Sequence, residues 1–203
     1  MSSGYYWVGQ AFPPAGRWYL SAVRDDHGYE IDTSAFLRGE AVELGLPLCL
    51  PLVGGGTTAL AGPVQIDVSR SGPALNFTLG AFDLPILSAR LAAVLGPLVG
   101  ADAQWIPARV ESQDEPFAVM NVLSRPACVD VARSQIEWWT PPGAPPGSPE
   151  QPFAMYEMVL DPTRARGHHV LRPAECPSAL VVSSAVKEAM ERFGALGVQF
   201  TAV

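Results

Sequence analysis

The order of apolar and polar positions along the chain predicts a protein built mainly from short strands. The segment 64–69 alternates apolar and polar residues, which is typical of a strand with one buried face. The segments 104–110 and 117–122 predict a strand pair joined by the polar turn 111–116. Further strands are predicted at 17–23, 155–160, 179–182 and 198–203.

One helix is predicted at about 88–98. Its apolar residues recur every three or four positions and form a single stripe along the helix. Ser88 is a residue type that caps a helix N-terminus, because its hydroxyl can accept a backbone N–H bond. Gly96 and Pro97 are expected to end the helix, since proline lacks the N–H group that continues it.

A second helix is predicted at 184–193, again with one apolar stripe. Ser183 or Ser184 can cap its start, and Gly194 suits the left-handed residue that commonly follows a helix. Strands together with these two helices predict an α+β fold, strand-rich, with a mixed or antiparallel sheet.

The length of 203 residues fits a single domain spanning 1–203. One segment, 140–152, contains six prolines and two glycines and predicts a surface loop, because few of its residues can pair in a regular element. The glycine-rich segment 54–58 is also predicted as a loop. The segments 128–131 and 135–139 fit either strands or short helical turns.

The charge balance changes the range of expected partners. The formal net charge is −7, and only 16% of the residues are charged. Phosphate binding depends on lysine and arginine, so nucleic acid is not expected as a ligand. An acidic surface favours a basic protein partner and speeds its association. Self-association stays open as a second kind of contact.

The cysteines and the N-terminal residues indicate a cytoplasmic protein. Cys49, Cys128 and Cys176 are odd in number and widely spaced, unlike a disulfide framework. The start of the sequence lacks the basic and apolar regions of a signal peptide. The most apolar stretch, 84–99, is interrupted by two prolines, a serine and an arginine, so no membrane span is expected.

No pattern in the sequence predicts a catalytic, cofactor or metal site. The glycines at 54–56 lack the lysine of a phosphate-binding loop. His168 and His169 are adjacent, and neighbouring side chains on a strand point to opposite faces, which disfavours one shared metal ion. A nucleophile such as Cys128 requires a base within hydrogen-bonding reach, and sequence alone does not show one.

The predicted binding residues are instead surface groups suited to a protein partner. Acidic turns would attract a basic partner, and tryptophans beside an exposed loop make good interface anchors, although a core position is an alternative for the tryptophans. The candidates are Asp25, Asp26, Glu30 and Asp32 in one turn, Asp114 and Glu115 in another, and the pair Trp138 and Trp139.

The order of several segments resembles a family of bacterial immunity proteins encoded beside polymorphic toxins, of a type predicted in myxobacteria. These segments are 36–39, 75–78, 85–88, 104–107, 117–122, 128–130, 171–172, 182–189 and 197–201. The resemblance implies a cytosolic antidote that binds and neutralises a cognate toxin in contact-dependent competition. It implies no catalytic residues and no cofactor.

Two other functions remain as alternatives at this point. One is an enzyme of unrecognised, hydrolase-like class that uses Cys128 or His169, which a deep pocket with convergent polar groups would favour. The other is a scaffold or oligomer subunit without a toxin partner.

Overall fold

The computed structural model describes residues 4–13, 15–42, 48–55, 57–60, 62–138 and 152–203. Within these ranges the chain forms strands arranged in two larger sheets and two hairpins, together with three α-helices. The predicted α+β class and the mixed sheet are confirmed. No helix of the described ranges is long and apolar enough to cross a membrane.

The strands are β1 (Tyr5–Gln10), β2 (Tyr19–Arg24), β3 (Leu48–Pro51), β4 (Thr57–Leu60), β5 (Val64–Arg70), β6 (Phe77–Leu79), β7 (Pro85–Ser88), β8 (Ala103–Val110), β9 (Phe117–Val122), β10 (Gln135–Trp138), β11 (Pro152–Glu157), β12 (Val170–Leu171), β13 (Leu180–Ser183) and β14 (Val198–Ala202). The helices are α1 (Ser34–Leu37), α2 (Ala89–Val99) and α3 (Ser184–Phe193).

The large sheet has the strand order β2-β5-β8-β9-β7-β6. Its pairs are antiparallel except β5 and β8, which run parallel and make the sheet mixed. The predicted pair β8 and β9 is confirmed, with Ala103 opposite Val122 and Ala108 opposite Phe117. All six residues of β9 are buried, so this strand is covered on both faces.

The small sheet has the strand order β12-β13-β1-β14 and is antiparallel throughout. The first described strand, β1, is therefore an inner strand that pairs with two segments near the end of the chain. Its neighbours β13 and β14 confirm the strands predicted at 179–182 and 198–203.

The two sheets share one apolar cluster. Residues from both, including Val8 of β1 and Met120 of β9, pack with Leu91 of α2 and Met190 of α3. A second cluster covers the other face of the large sheet, and a third covers the other face of the small sheet around Val181. Because successive side chains along a strand point to opposite faces, each sheet presents apolar side chains on both of its faces.

Helix α2 confirms the predicted position but corrects the predicted end. Ser88 is the N-cap, and its Oγ accepts a bond from the N–H of Leu91 at 3.4 Å. Pro97 lies within the helix, which continues to Val99 and ends at Gly100 with φ of 54°. Ala93 and Pro97 are exposed, so water can bond the carbonyl group that Pro97 leaves without a donor.

Helix α3 confirms the second prediction at both ends. Ser183 is the N-cap, and its Oγ accepts a bond from the N–H of Val186 at 3.5 Å. Gly194 follows the helix in the left-handed conformation, with φ of 73°. Val186 and Met190 are buried as expected.

Three local predictions are corrected. Thr57 and Thr58 were expected in a loop but belong to β4, because they pair with Pro51 and Leu50 to close a hairpin. The strand expected at 155–160 is displaced to Pro152–Glu157, and Leu160 forms only an isolated bridge with Val129. The segment 135–138 is a strand, β10, which pairs with β11. The expected loop at 140–152 lies outside the described residues except for its last position.

Candidate functional site

The acidic turn formed by residues 25–32 is only partly available to a partner. Asp25 was expected on the surface but is 2% exposed. Its Oδ1 accepts bonds from the N–H groups of His27 at 2.9 Å and Tyr29 at 2.7 Å. The carboxylate is buried because it holds the turn together, which sequence alone did not reveal.

The other acidic candidates of this turn remain accessible to different degrees. Asp26 and Glu30 are exposed, and Asp26 lies 2.9 Å from Nδ1 of His27. Asp32 is half-buried and accepts bonds from the N–H and hydroxyl groups of Ser34, which lower its pKa. Asp25, Asp26 and His27 place one possible metal-ligand atom each within 4.8 Å of one another.

The second acidic turn is not brought together with the first. Asp114 and Glu115 are exposed in the connection between β8 and β9. Strand β2 runs antiparallel to β5, and β5 runs parallel to β8, so β2 and β8 end at opposite edges of the large sheet. The acidic turn follows β2 and the second acidic turn follows β8, so they lie at opposite ends of that sheet.

Strands β10 and β11 form a hairpin that carries exposed aromatic side chains, here called the aromatic hairpin. Trp138 is 38% exposed and Tyr156 is 62% exposed. The Tyr156 hydroxyl donates to Oε2 of Glu137 at 2.6 Å, which places an acidic group beside the ring. The expected core alternative is therefore wrong for Trp138. Trp139 lies outside the described residues.

The histidine pair is organised by a carboxylate that the sequence did not indicate. Oδ1 of Asp102 accepts bonds from the Ser124 hydroxyl at 2.6 Å and from Nδ1 of His168 at 2.8 Å. Oδ2 accepts a bond from the N–H of His169 at 2.7 Å. No local motif predicts this contact, since 66 residues separate Asp102 from His168.

These bonds keep Asp102 ionised. Burial by itself would raise its pKa, but the bonds from Ser124, His168 and His169 outweigh burial and lower the pKa below its usual value. An ionised carboxylate can only accept hydrogen bonds, so Nδ1 of His168 carries the hydrogen. The ring is thereby held in one tautomer at the edge of a pocket of about 380 Å³ that His169 and Glu188 also line.

This pocket does not assemble a serine-type relay. A serine–histidine–aspartate relay needs one imidazole ring between the carboxylate and the hydroxyl. Here the His168 ring contacts Asp102, whereas the adjacent His169 ring contacts Ser183, with Nδ1 3.0 Å from Oγ. Ser183 is also the N-cap of α3. The contacts of both rings therefore anchor local structure.

The third chemical candidate, Cys128, is a buried thiol. It is fully buried in the cluster beneath the small sheet, and burial raises its pKa to about 11. A thiol that stays protonated at neutral pH is a poor nucleophile. Cys176 is likewise a buried free thiol.

The fold and these surfaces define an α+β protein with exposed acidic and aromatic groups. The chain belongs to the Immunity protein family (Imm11), whose model matches residues 40–203, about four fifths of the chain. This confirms the family resemblance found in the sequence, and an immunity family implies neutralisation of a toxin. A comparison with curated proteins finds none that matches the chain. Strands β1 and β2 precede the matched region.

Proposed function

We propose that this protein is an antidote that binds its cognate toxin directly and blocks it in the cytoplasm of the producing cell. The toxin would belong to a polymorphic system used in contact-dependent competition between bacteria. The observation that carries this proposal is the match of residues 40–203 to the Immunity protein family (Imm11). The immunity class supports binding to a protein toxin, and the net charge of −7 supports a basic toxin as the partner.

Neutralisation by binding, rather than by chemistry, is supported by how the reactive side chains are used. Cys128 is buried with a raised pKa, and the His169 ring bonds the serine that caps α3. His168 is held by Asp102. Each group thus has a structural role in the folded chain.

The aromatic hairpin is the surface that we propose as the anchor of the complex. Trp138 and Tyr156 are both exposed aromatic residues, and such residues carry most of the binding energy in many interfaces. We propose that Asp26, Glu30 and Asp32, and separately Asp114 and Glu115, add long-range attraction for a basic toxin. Trp139 is proposed as a further binding residue. A stable antidote complex needs nanomolar affinity and roughly 800 Å² of buried surface on each partner.

A survival assay tests this function. Cells would express the toxin encoded beside this gene together with each variant, and each variant would be confirmed as folded by its circular dichroism spectrum. Cys128→Ala, His168→Ala and His169→Ala should protect like the unchanged protein. Trp138→Ala should weaken binding through faster dissociation, whereas Asp26→Asn with Glu30→Gln should slow association in a salt-dependent way.

The same assay tests the alternative that the protein is an enzyme. If a folded His168→Ala variant binds the toxin with unchanged affinity and no longer protects, the protein neutralises by chemistry. If the unchanged protein does not bind the toxin at all, direct binding is refuted.

A further inference from the structure

A cluster of aromatic and arginine side chains lies at the surface where the chain enters β2. We call Phe12, Arg17, Tyr19 and Arg70 the arginine–aromatic cluster. Phe12 is 72% exposed and Tyr19 is 37% exposed. The Arg17 guanidinium carbon lies 5.6 Å from the Phe12 ring centre and 5.7 Å from that of Tyr19. The Arg70 guanidinium carbon also lies 5.6 Å from the Tyr19 ring centre.

Arg17 is buried without full use of its hydrogen-bond donors. It is 5% exposed, its Nη1 donates to the carbonyl of Ala11 at 2.9 Å, and its Nε donates to that of Trp18 at 3.3 Å. Its Nη2 is buried and has no hydrogen-bond partner among the described residues. A buried donor without a partner is unfavourable by roughly 1–3 kcal/mol, more if it is charged.

The other buried arginine, Arg172, has hydrogen-bond partners for both of its terminal nitrogens. Arg172 is 1% exposed, and its two terminal nitrogens donate to the carbonyl groups of Pro177, Ser178 and Asp83. Burial lowers the pKa of both arginines, but only Arg17 leaves a terminal nitrogen unused within the described ranges.

The cluster also lacks a counter-charge. In the described part of the chain, no carboxylate lies within 4.0 Å of Arg17 or Arg70 in an ion pair, whereas Arg24 and Arg38 each pair with one. Several other arginines of the described part also lack an ion pair, so the feature particular to Arg17 is its burial with an unused donor. A desolvated guanidinium gains most from a carboxylate, which matches its planar donors.

We propose that the arginine–aromatic cluster is a contact surface for the toxin and takes the carboxylate of an acidic side chain that has an apolar residue beside it. This inference rests on the proposed function. Nη2 of Arg17 is buried in the free protein, so the exposed Phe12 side chain would have to turn aside on contact. The acidic group would then accept bonds from Arg17 and Arg70, and the apolar residue would pack on Phe12. Phe12, Arg17 and Tyr19 precede the region that the family model matches, so family membership assigns them no role.

The cluster and the net charge act at different ranges. The net charge attracts a basic toxin from a distance, whereas a buried guanidinium can bond a carboxylate of the toxin only after the two surfaces are in contact. The proposal therefore predicts that the cluster affects the dissociation rate more than the association rate.

The test measures the affinity of the purified toxin encoded beside this gene for variants of the cluster. Phe12→Ala and Arg70→Glu should each weaken binding by about tenfold or more, as expected for interface anchors. Leu196→Ala is a matched control for Phe12, since Leu196 is 56% exposed elsewhere. Arg90→Glu is the matched control for Arg70→Glu, because Arg90 is also exposed and both substitutions change the net charge by the same amount. Both controls should bind within about twofold of the unchanged protein.

Arg17→Met provides an independent readout. Methionine keeps an apolar stem and removes the unpaired buried charge, and such replacements are often neutral or stabilising. We expect an unchanged or higher melting temperature together with at least about tenfold weaker toxin binding. A residue that serves binding at the expense of stability should show this combination, whereas loss of a purely structural residue should lower the melting temperature. If Arg17→Met does not fold, the Phe12 and Arg70 variants decide the matter.

The outcomes separate this inference from the proposed function. Toxin binding that is lost in the cluster variants and kept in both controls supports the inference. Toxin binding that is unchanged in Phe12→Ala and Arg70→Glu overturns the inference and leaves the proposed function intact. Absence of toxin binding by the unchanged protein overturns both.

Discussion

Removing the Asp102 carboxylate should destabilise the fold more than removing any exposed carboxylate. Its side chain is 12% exposed and accepts bonds from Ser124, from the His168 ring and from the backbone N–H groups of His169 and Val170. The bond to Val170 is long, at 3.4 Å, so three strong bonds dominate. At about 1.5 kcal/mol for each of the three bonds, the lower end of the range for a charged acceptor, Asp102→Ala should cost about 4–5 kcal/mol.

The isosteric variant should cost less. In Asp102→Asn the amide can donate to Nδ1 of His168 if the ring changes to its other neutral tautomer, which restores one of the lost bonds. The expected loss is about 1–3 kcal/mol. Asp161→Ala is the matched control, because Asp161 also bonds the N–H and hydroxyl groups of Thr163 but has 34% of its side chain exposed. It should cost no more than about 1 kcal/mol.

The assay is urea denaturation followed by tryptophan fluorescence, from which the free energy of unfolding is obtained at several pH values. The pKa of Asp102 is lower in the folded chain than in the unfolded one. Its contribution is therefore fully present above the unfolded pKa of about 3.9 and is lost as the pH falls through the lower folded value. The difference between the unchanged protein and Asp102→Asn should be constant above about pH 5 and shrink below about pH 4. A difference below about 1 kcal/mol for Asp102→Ala, or one that is the same at pH 3 and pH 7, would refute this account.

Four further predictions follow from burial and composition. Leu91→Ala, at a fully buried position of α2, should lower the free energy of unfolding by about 3–5 kcal/mol in the same urea assay. Cys128, with a pKa raised to about 11, should resist iodoacetamide at pH 8 in the folded protein and react in urea, as mass spectrometry would show. Replacing 140–152 with a short glycine–serine linker should leave the melting temperature nearly unchanged; a large drop would show that this segment packs on the core. Chelator and reductant should not shift the melting temperature, and a drop of several degrees with chelator would point to a metal at Asp25, Asp26 and His27.

The sequence predicted only part of the candidate site. Exposed positions such as Asp26, Asp114 and Glu115 were correctly placed in turns, because glycine, proline and charged residues mark turns locally. The prediction of an exposed side chain was wrong at Asp25, because its carboxylate bonds the N–H groups of His27 and Tyr29 inside the turn. The contacts of Asp102 with His168 and of Arg17 with Tyr19 had no signal in the local pattern.

Periodicity in the sequence determined the elements that lie on a single buried face. Helices α2 and α3 and strand β5 were predicted because each repeats apolar residues with the period of its own backbone, whereas β8 and β9 were predicted as a strand pair joined by a polar turn. Their caps followed from the local chemistry of Ser88, Ser183 and Gly194.

Only the tertiary structure decided which of these elements became neighbours. Strand β1, near the start of the sequence, pairs with β13 and β14, near its end. Strand β5 lies parallel to β8 inside an otherwise antiparallel sheet. Such pairings depend on how separate apolar faces fit together, and period and capping carry no information about that fit. The same long-range packing held His168 on Asp102 and placed Arg70 beside the Tyr19 ring, because these partners lie far apart in the sequence.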